Sequence, residues 1–181
     1  MKQGRIVIIT GSPGTGKTTT ASIVAQKSDL EKSVHMHTDD FYHYLRKGAI
    51  PPHLPESNEQ NIVVIEAFLE AAKRFVRSGY DVIVDGIIGP WFLEPWKGLV
   101  REHFEVHYII LRAGKEETLR RAVERSKLDR KTNIELVETM WTQFNSLGEY
   151  ERYVLETTGL PVDETVLMIK ETIDQKVNLL V

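Results

Sequence analysis

The chain has 181 residues, and its 23 lysine and arginine residues against 26 aspartate and glutamate residues give a formal net charge of −3. The length fits a single domain over residues 1–181, and a hydrophobic fraction of 41% excludes a disordered chain. The absence of cysteine excludes disulfide frameworks, thiolate metal sites and cysteine nucleophiles, while the mildly acidic balance argues against nucleic-acid binding through bulk charge.

Apolar runs alternate with helical patterns along the chain. Compact apolar runs predict strands at 5–10, 34–37, 80–84, 106–111 and 153–156. Helical spacing predicts helices at 18–27, from about 41, and at 61–77, 90–102, 116–126, 134–147 and 163–177. This order predicts an α/β fold with a five-stranded parallel sheet covered by helices on both faces. The first run is too short for a signal-peptide core and none is long enough to span a membrane, so we expect a cytoplasmic protein.

The loop after the first predicted strand carries the most specific pattern in the chain. Gly11-Ser12-Pro13-Gly14-Thr15-Gly16-Lys17-Thr18 matches the phosphate-binding pattern G-x-x-x-x-G-K-[ST], the Walker A motif, in full. Glycines let the backbone aim N–H groups at an anion, and the helix N-terminus adds a favourable dipole. We expect Lys17 to reach the β- and γ-phosphates of ATP and Thr18 to hold Mg²⁺. Because the loop itself supplies the groups that bind a polyphosphate, the chain does not need a positive net charge to bind one.

Acidic residues follow the second and third predicted strands, at the edge where open α/β sheets bind ligands. Asp39 and Asp40 follow the second strand and Asp85 ends the third. Such a carboxylate either acts as base for an acceptor hydroxyl or holds Mg²⁺. We expect Asp39 in the first role and Asp40 as a helix N-cap, and leave open which of the two is the base. His35 and His37 have no carboxylate at metal-ligand spacing and are predicted to be satisfied or surface imidazoles.

The residues 41–61, together with the aromatic side chains that follow the third strand, are the candidates for an acceptor pocket. An aromatic wall that includes Trp91 suits a moderately apolar alcohol. Alternatively, Arg46 or Lys47 would bind an acidic group of the acceptor. Packing of a helix onto the core is the structural alternative for Trp91 and Trp96.

Basic side chains dominate the helix predicted at 116–126 and the segment after it. Arg121 and Arg125 are four residues apart and share one helix face. A guanidinium group both stacks on a base and grips phosphate oxygens. The basic residues 126–132 are predicted to form a lid that closes over the γ-phosphate and excludes water. A solvated helix face is the alternative interpretation of these charges.

The chain resembles the nucleoside monophosphate kinase-like group. The resemblance is carried by the phosphate loop, the aspartate after the second strand, the Asp-Gly pair after the third and the Arg-x-x-x-Arg helix. Its small-molecule members include gluconate kinase, shikimate kinase and chloramphenicol phosphotransferase. The resemblance covers almost the whole chain and implies a three-layer α/β/α P-loop NTPase fold with a short lid. It implies that Arg121 packs on adenine, Arg125 contacts phosphates, residues 157–161 line the adenine, and Asp39 is the base or orients the acceptor.

These motifs and the resemblance together define the predicted site. The predicted nucleotide-binding residues are Gly11, Ser12, Pro13, Gly14, Thr15, Gly16, Lys17, Thr18, Thr19, Arg121, Gly159 and Pro161. The predicted catalytic residues are Lys17, Asp39 and Arg125, the metal ligands Thr18 and Asp85, and the substrate-binding residues Asp39, Arg46, Asp85 and Trp91.

One departure from the resemblance bears on the acceptor. Asp85-Gly86 is followed by Ile87-Ile88-Gly89-Pro90-Trp91, without the arginine by which monophosphate kinases grip the acceptor phosphate. The chain is therefore predicted to be an ATP- and Mg²⁺-dependent phosphotransferase acting on a hydroxyl of a small molecule, as a monomer or homodimer without nucleic-acid or membrane partners. A nucleoside or nucleotide kinase and an ATP-binding regulatory module without phosphotransfer are the alternatives.

Overall fold

The computed structural model of the protein describes residues 4–125 and 130–181. The strands are β1 (Arg5–Thr10), β2 (Ser33–His37), β3 (Asp81–Asp85), β4 (Val106–Arg112) and β5 (Val154–Glu156). The helices are α1 (Lys17–Gln26), α2 (Thr38–His43), α3 (Asn58–Arg77), α4 (Glu94–Arg101), α5 (Lys115–Arg125), α6 (Arg130–Asn145) and α7 (Val162–Asp174). Short 3₁₀ turns occur at Pro55–Ser57, Pro90–Phe92 and Gly148–Tyr153. No helix within the described ranges is both long enough and apolar enough to cross a membrane.

The five strands form one parallel sheet in the order β2-β3-β1-β4-β5, which confirms the predicted sheet. Its register aligns Ile9 of β1 with Asp85 of β3, and Asp85 in turn with His37 of β2. The carboxyl ends of these three strands therefore meet at one edge. The loop between β1 and α1 begins at that edge, so the phosphate-loop sequence lies beside Asp85 and His37.

Two apolar clusters cover the two faces of the sheet. Ile6 and Ile8 of β1 belong to the cluster that includes α3 and α4, while Val7 and Ile9 belong to the cluster with α1 and α7. Successive side chains of a strand point to opposite faces, and both faces are buried here. This explains why β1 is an uninterrupted apolar run, and it confirms that helices lie on both sides of the sheet.

The prediction that Asp40 caps a helix near residue 41 is wrong, because α2 begins earlier, at Thr38. The residue at the N-cap position is His37, in an extended conformation, directly at the end of β2. Asp39 and Asp40 both lie in the first helical turn, where negative side chains interact favourably with the helix dipole. The short connection from β2 to α2 thus keeps Asp39 close to the sheet edge.

Two other predicted segments differ in detail from the structure. The helix predicted at 90–102 is divided into the 3₁₀ turn Pro90–Phe92 and the helix α4, each with a proline in its first turn. Proline is tolerated there but not inside a helix, so Pro95 requires a new helix start. Of the predicted lid, residues 126–129 lie outside the described residues, and residues 130–132 form the start of α6.

Candidate active site

Backbone geometry at three glycines shapes the loop between β1 and α1. Gly11, Gly14 and Gly16 have φ values of 142°, 87° and 86°, in the range that side chains disfavour. A Cβ atom at Gly14 would also collide with the carbonyl oxygen of Thr118 in α5. The loop therefore wraps more tightly than a chain with side chains at these positions could.

Side chains within this loop fold back onto its own backbone. The hydroxyl of Thr15 and the ammonium group of Lys17 each donate a hydrogen bond to the carbonyl oxygen of Ser12, both at 3.0 Å. Gly16, in the left-handed conformation, is the N-cap of α1. The loop thus brings a helix N-terminus and a lysine to one opening, which is an arrangement suited to a polyphosphate.

Asp85 at the end of β3 is a fully buried carboxylate with three polar contacts. The hydroxyl of Thr18 donates to its Oδ2 at 2.6 Å, His35 Nε2 lies 2.7 Å from Oδ1, and His37 Nδ1 lies 3.0 Å from Oδ2. Burial alone would raise the pKa of Asp85, but the contacts with His35, His37 and Thr18 outweigh it and hold the pKa well below its usual range. Asp85 is therefore ionised beside Thr18.

The pair formed by Thr18 and Asp85 fits a magnesium ion. Mg²⁺ prefers oxygen ligands and is commonly held by one or two protein groups together with the phosphates of a nucleotide. The hydroxyl and carboxylate oxygens here are 2.6 Å apart, beside the phosphate loop. Over residues 4–125 and 130–181, no group of three or more histidine, aspartate and glutamate side chains is arranged to hold a metal by itself.

His37 lies between Asp85 and Asp39, and its importance was missed by the sequence prediction. Its Nε2 is 3.3 Å from Asp39 Oδ2, while its Nδ1 faces Asp85. The contact with Asp39, followed by that with Asp85, raises the pKa of His37 to about 10. The same contact, assisted by the charge of Lys17, lowers the pKa of Asp39. The signal in the sequence was the two-residue spacing of His35 and His37, which brings both imidazoles to the same carboxylate.

A cavity of about 210 Å³ adjoins the phosphate loop on the side of α5 and α7. Thr15, Gly16 and Thr19 line it together with Arg121 of α5 and with Thr157 and Leu160 of the loop after β5. The structure thus brings together the three segments that were predicted to bind the nucleotide. The predicted residues Gly159 and Pro161 belong to the same loop after β5.

Glu117 connects α5 to the loop after β5. Its carboxylate pairs with Arg121 and accepts a hydrogen bond from the backbone N–H of Gly159 at 3.0 Å. The spacing of Glu117 and Arg121 by one helical turn was a signal for this pair, although nothing in the sequence indicated Gly159. Arg125 ends α5, but its side chain lies outside the described residues, so the structure gives no contact for it.

A second cavity, of about 600 Å³, is lined by residues of α2, of the segment before α3, of α3, of the segment after β3 and of α6. Asp39 and Trp91 both line it, so the structure brings together two of the residues predicted to bind the acceptor. Arg46 lies exposed in the segment after α2 and does not line the cavity. Trp96, by contrast with Trp91, is fully buried in the core. One tryptophan therefore serves packing, and the other faces the cavity.

Residues of α6 complete the wall of this second cavity, and the sequence prediction missed them. Leu136, Thr139, Met140 and Gln143 line it opposite α2 and α3. They lie about one hundred positions from Asp39 and belong to no recognisable motif, so only the fold reveals their place. The helix is held to the core by Trp141, whose Nε1 donates to the carbonyl oxygen of Ala113 at 3.0 Å.

The segment after β3 is fixed by contacts with two other strands. The backbone N–H of Ile88 donates to Thr10 Oγ1 at 2.8 Å, and the hydroxyl of Tyr108 donates to the carbonyl oxygen of Ile88 at 2.6 Å. The ring of Trp91 lies so close to Gly89 that a Cβ atom there would collide with it. The same ring makes an edge contact with Phe144, at 5.1 Å between centroids. Trp91 is thus positioned although it is 53% exposed.

Comparison with known proteins gives one family match and one curated relative. The family model described as "AAA domain" matches residues 7–141. A protein of Thermococcus gammatolerans with the printed name "Putative adenylate kinase" is 28% identical over 175 residues, which cover 95% of this chain and 87% of that protein. The family match contains the phosphate loop, both aspartates of the candidate site and most of α6.

Solved structures with similar folds include several kinases. The APS kinase of Mycobacterium tuberculosis, solved in complex with AMPPNP and APS, has a TM-score of 0.73 and 16% identity, over 96% of this chain and 99% of that one. A gluconokinase of Sinorhizobium meliloti has a TM-score of 0.60 and 12% identity, over 97% and 99% of the two chains. These similarities confirm the three-layer P-loop fold and the predicted resemblance to small-molecule kinases at the level of the fold.

Proposed function

The chain belongs to the AAA domain family of P-loop proteins, and from that premise we propose that it is an ATP- and Mg²⁺-dependent phosphotransferase. It moves the γ-phosphoryl group of ATP to a hydroxyl of a small molecule. The observation that carries this proposal is the position of Asp39. Its carboxylate lines a cavity of about 600 Å³ and is linked through His37 to Asp85, beside Thr18 of the phosphate loop.

Residues of the phosphate loop and α5 bind the donor in this mechanism. Lys17 and the backbone N–H groups bind the β- and γ-phosphates, and Arg121 packs on the adenine. Thr18 and Asp85 would hold Mg²⁺, which supplies charge neutralisation of the phosphate oxygens when it is bound. We assign Arg125 to the phosphates on the basis of the resemblance alone.

Asp39 acts on the acceptor. It accepts the hydrogen bond of the acceptor hydroxyl and takes its proton as the oxygen attacks the γ-phosphorus. A bond from the acceptor oxygen to phosphorus forms, the bond from phosphorus to the β,γ-bridging oxygen breaks, and ADP leaves. His37 holds Asp39 in position, and its positive charge keeps the carboxylate ionised before transfer. Catalysis of this kind rests chiefly on positioning and electrostatics.

A nucleotide kinase is the second candidate function. It is favoured by the printed name of the Thermococcus gammatolerans relative, which is 28% identical to this chain. The departure after Asp85-Gly86, where no arginine follows, argues for the first candidate. The two candidates share the donor site and differ only in the acceptor.

The test is ADP production by the purified protein with Mg²⁺ and ATP, measured across a panel of alcohols, nucleosides and nucleoside monophosphates. Lys17→Ala is expected to lower acceptor-dependent turnover by about 10³-fold, because it removes a charge that binds the transferred group. Lys27→Ala, at the other end of α1 where the lysine pairs with Asp163, is the matched control and should retain full activity.

Two outcomes would contradict the proposal. Acceptor-dependent ADP production that persists in folded Lys17→Ala would remove the phosphate loop from the reaction. Tight ATP binding without turnover across the whole panel would favour the regulatory module instead.

A further inference from the structure

The cavity of about 600 Å³ beside Asp39, which is the proposed acceptor cavity, has little positive charge among its described lining residues. Asp39 is an ionised carboxylate in its wall, and no lysine or arginine is among the lining residues in the described part of the chain. The other polar groups are mostly uncharged hydroxyl and amide groups, from Tyr42, Asn61, Thr139 and Gln143, with an imidazole from His53 at the exposed rim. The remaining wall is largely apolar.

Cationic side chains near this cavity serve other parts of the molecule. Lys73 and Arg101 lie in the neighbouring groove between α3 and α4, where they pair with glutamates: Lys73 with Glu70 and Glu102, and Arg101 with Glu94. Lys17 lies on the phosphate loop, where it contacts the Ser12 carbonyl oxygen. No lysine or arginine among the described lining residues therefore supplies the positive charge that an anionic acceptor needs, and the nearby imidazole of His37 is engaged by Asp39 and Asp85.

Charge decides which acceptors such a wall can take. A phosphate or carboxylate on the acceptor would lose hydration inside a partly apolar cavity without gaining an opposite charge, and it would be repelled by Asp39. An uncharged acceptor has neither cost. It buries apolar surface against the ring of Trp91 and the aliphatic side chains of Ile65, Leu136 and Met140, and its polar groups find hydroxyl and amide partners.

We propose that the acceptor is an uncharged alcohol with an apolar body, of nucleoside size or larger, and that the site discriminates against phosphorylated and carboxylated acceptors. The size follows from the volume of about 600 Å³, which is in the range of cavities that enclose small organic ligands. This inference rests on the proposed phosphotransfer to a hydroxyl. It goes beyond that function by excluding a class of acceptors that the same chemistry would otherwise permit.

Matched pairs of acceptors test the inference directly. The two members of each pair differ by one phosphate. The pairs are thymidine and thymidine monophosphate, adenosine and AMP, and glucose and glucose 6-phosphate. Added to these are about a hundred uncharged alcohols and their carboxylated counterparts. The uncharged member of each productive pair is expected to have a kcat/KM at least about 100-fold higher, because the described lining residues offer the anion no lysine or arginine.

Binding is measured independently of turnover through the fluorescence of Trp91, which is 53% exposed on the cavity wall. An acceptor that enters the cavity should change this emission, and Trp91→Phe should abolish the change. If neither member of any pair binds, or if the phosphorylated member binds equally or better, the inference is overturned. If uncharged alcohols bind selectively without turnover, the charge selectivity of the cavity stands and the proposed phosphotransfer fails, so the two failures are distinguishable.

A charge introduced into the wall gives the converse test. Gln143→Arg places a cation at an exposed helical position on the cavity, and Thr142→Arg places one at the adjacent exposed position outside the lining. Gln143→Arg is expected to improve binding of the phosphorylated probes by about tenfold relative to the uncharged ones, whereas Thr142→Arg should leave the ratio unchanged. An equal response of both variants would contradict a role for the charge of the cavity wall.

Discussion

The proposed nucleotide side and the proposed acceptor side of the site are built in different ways. On the nucleotide side, eight consecutive residues form the phosphate loop, and their backbone conformation favours glycine at three of the eight positions. On the acceptor side, the lining residues come from α2, the segment before α3, α3, the segment after β3 and α6, from Thr38 to Gln143. A phosphate-binding loop is therefore encoded by a short stretch of sequence, whereas the proposed acceptor site is assembled by the tertiary structure.

The two sides meet at the carboxyl ends of β2 and β3. His37 contacts Asp85 on the nucleotide side at 3.0 Å and Asp39 on the acceptor side at 3.3 Å. Variants on one side are therefore expected to change only the kinetic parameters of that side, except where a residue takes part in the transfer itself.

Asp85→Asn is expected to have the largest effect, a loss of about 10³-fold in kcat. The amide removes a buried charge that Thr18, His35 and His37 all contact, so both the proposed metal site and the position of His37 are lost. The Mg²⁺ concentration for half-maximal activity should rise as well. Steady-state kinetics over a range of Mg²⁺ concentrations checks both effects. Asp29→Asn, at an exposed carboxylate that pairs with Arg5, is the control, and an equal loss there would indicate general destabilisation.

Asp39→Asn should lower kcat by about 10²-fold, while the KM for ATP stays within about twofold. The substitution keeps the size of the side chain but removes the base, whose carboxylate is held by His37. The neighbouring Asp40→Asn, on the exposed part of the same helical turn, should retain activity. Loss of activity in Asp40→Asn but not in Asp39→Asn would exchange the roles of the two aspartates.

The sequence predicted the features that are local. The β-branched run of β1 and the glycines of the phosphate loop each depend on backbone sterics within a few residues, and the sheet they predicted is confirmed. The Asp40 cap was wrong because the length of the β2–α2 connection, which sets the helix start, has no clear sequence signal. The contribution of α6 to the acceptor cavity was missed because it depends on contacts between residues far apart in the chain.

Arg121→Met should raise the KM for ATP by about tenfold with little change in kcat. The substitution keeps an unbranched side chain but removes the planar group that would stack on the adenine. Arg120→Met is the matched control, since Arg120 lies exposed on the same helix and pairs with Glu124. A change in the KM for the acceptor in Arg121→Met would break the separation of the two sides.

Glu117→Gln is expected to give the smallest effect, an increase of about threefold in the KM for ATP. Glu117 is not a lining residue of the cavity beside the phosphate loop. Its carboxylate contacts both Arg121 and the backbone N–H of Gly159, so it positions α5 relative to the loop after β5. The amide can still accept from Gly159, while its contact with Arg121 loses the attraction between opposite charges. Two observations distinguish a positioning role from general destabilisation. Glu116→Gln, at the preceding exposed position, should leave the KM for ATP unchanged. The midpoint of thermal unfolding of Glu117→Gln should be close to that of the parent. If instead the acceptor KM rises in Glu117→Gln, the loop after β5 influences both sides, and the site cannot be divided at His37.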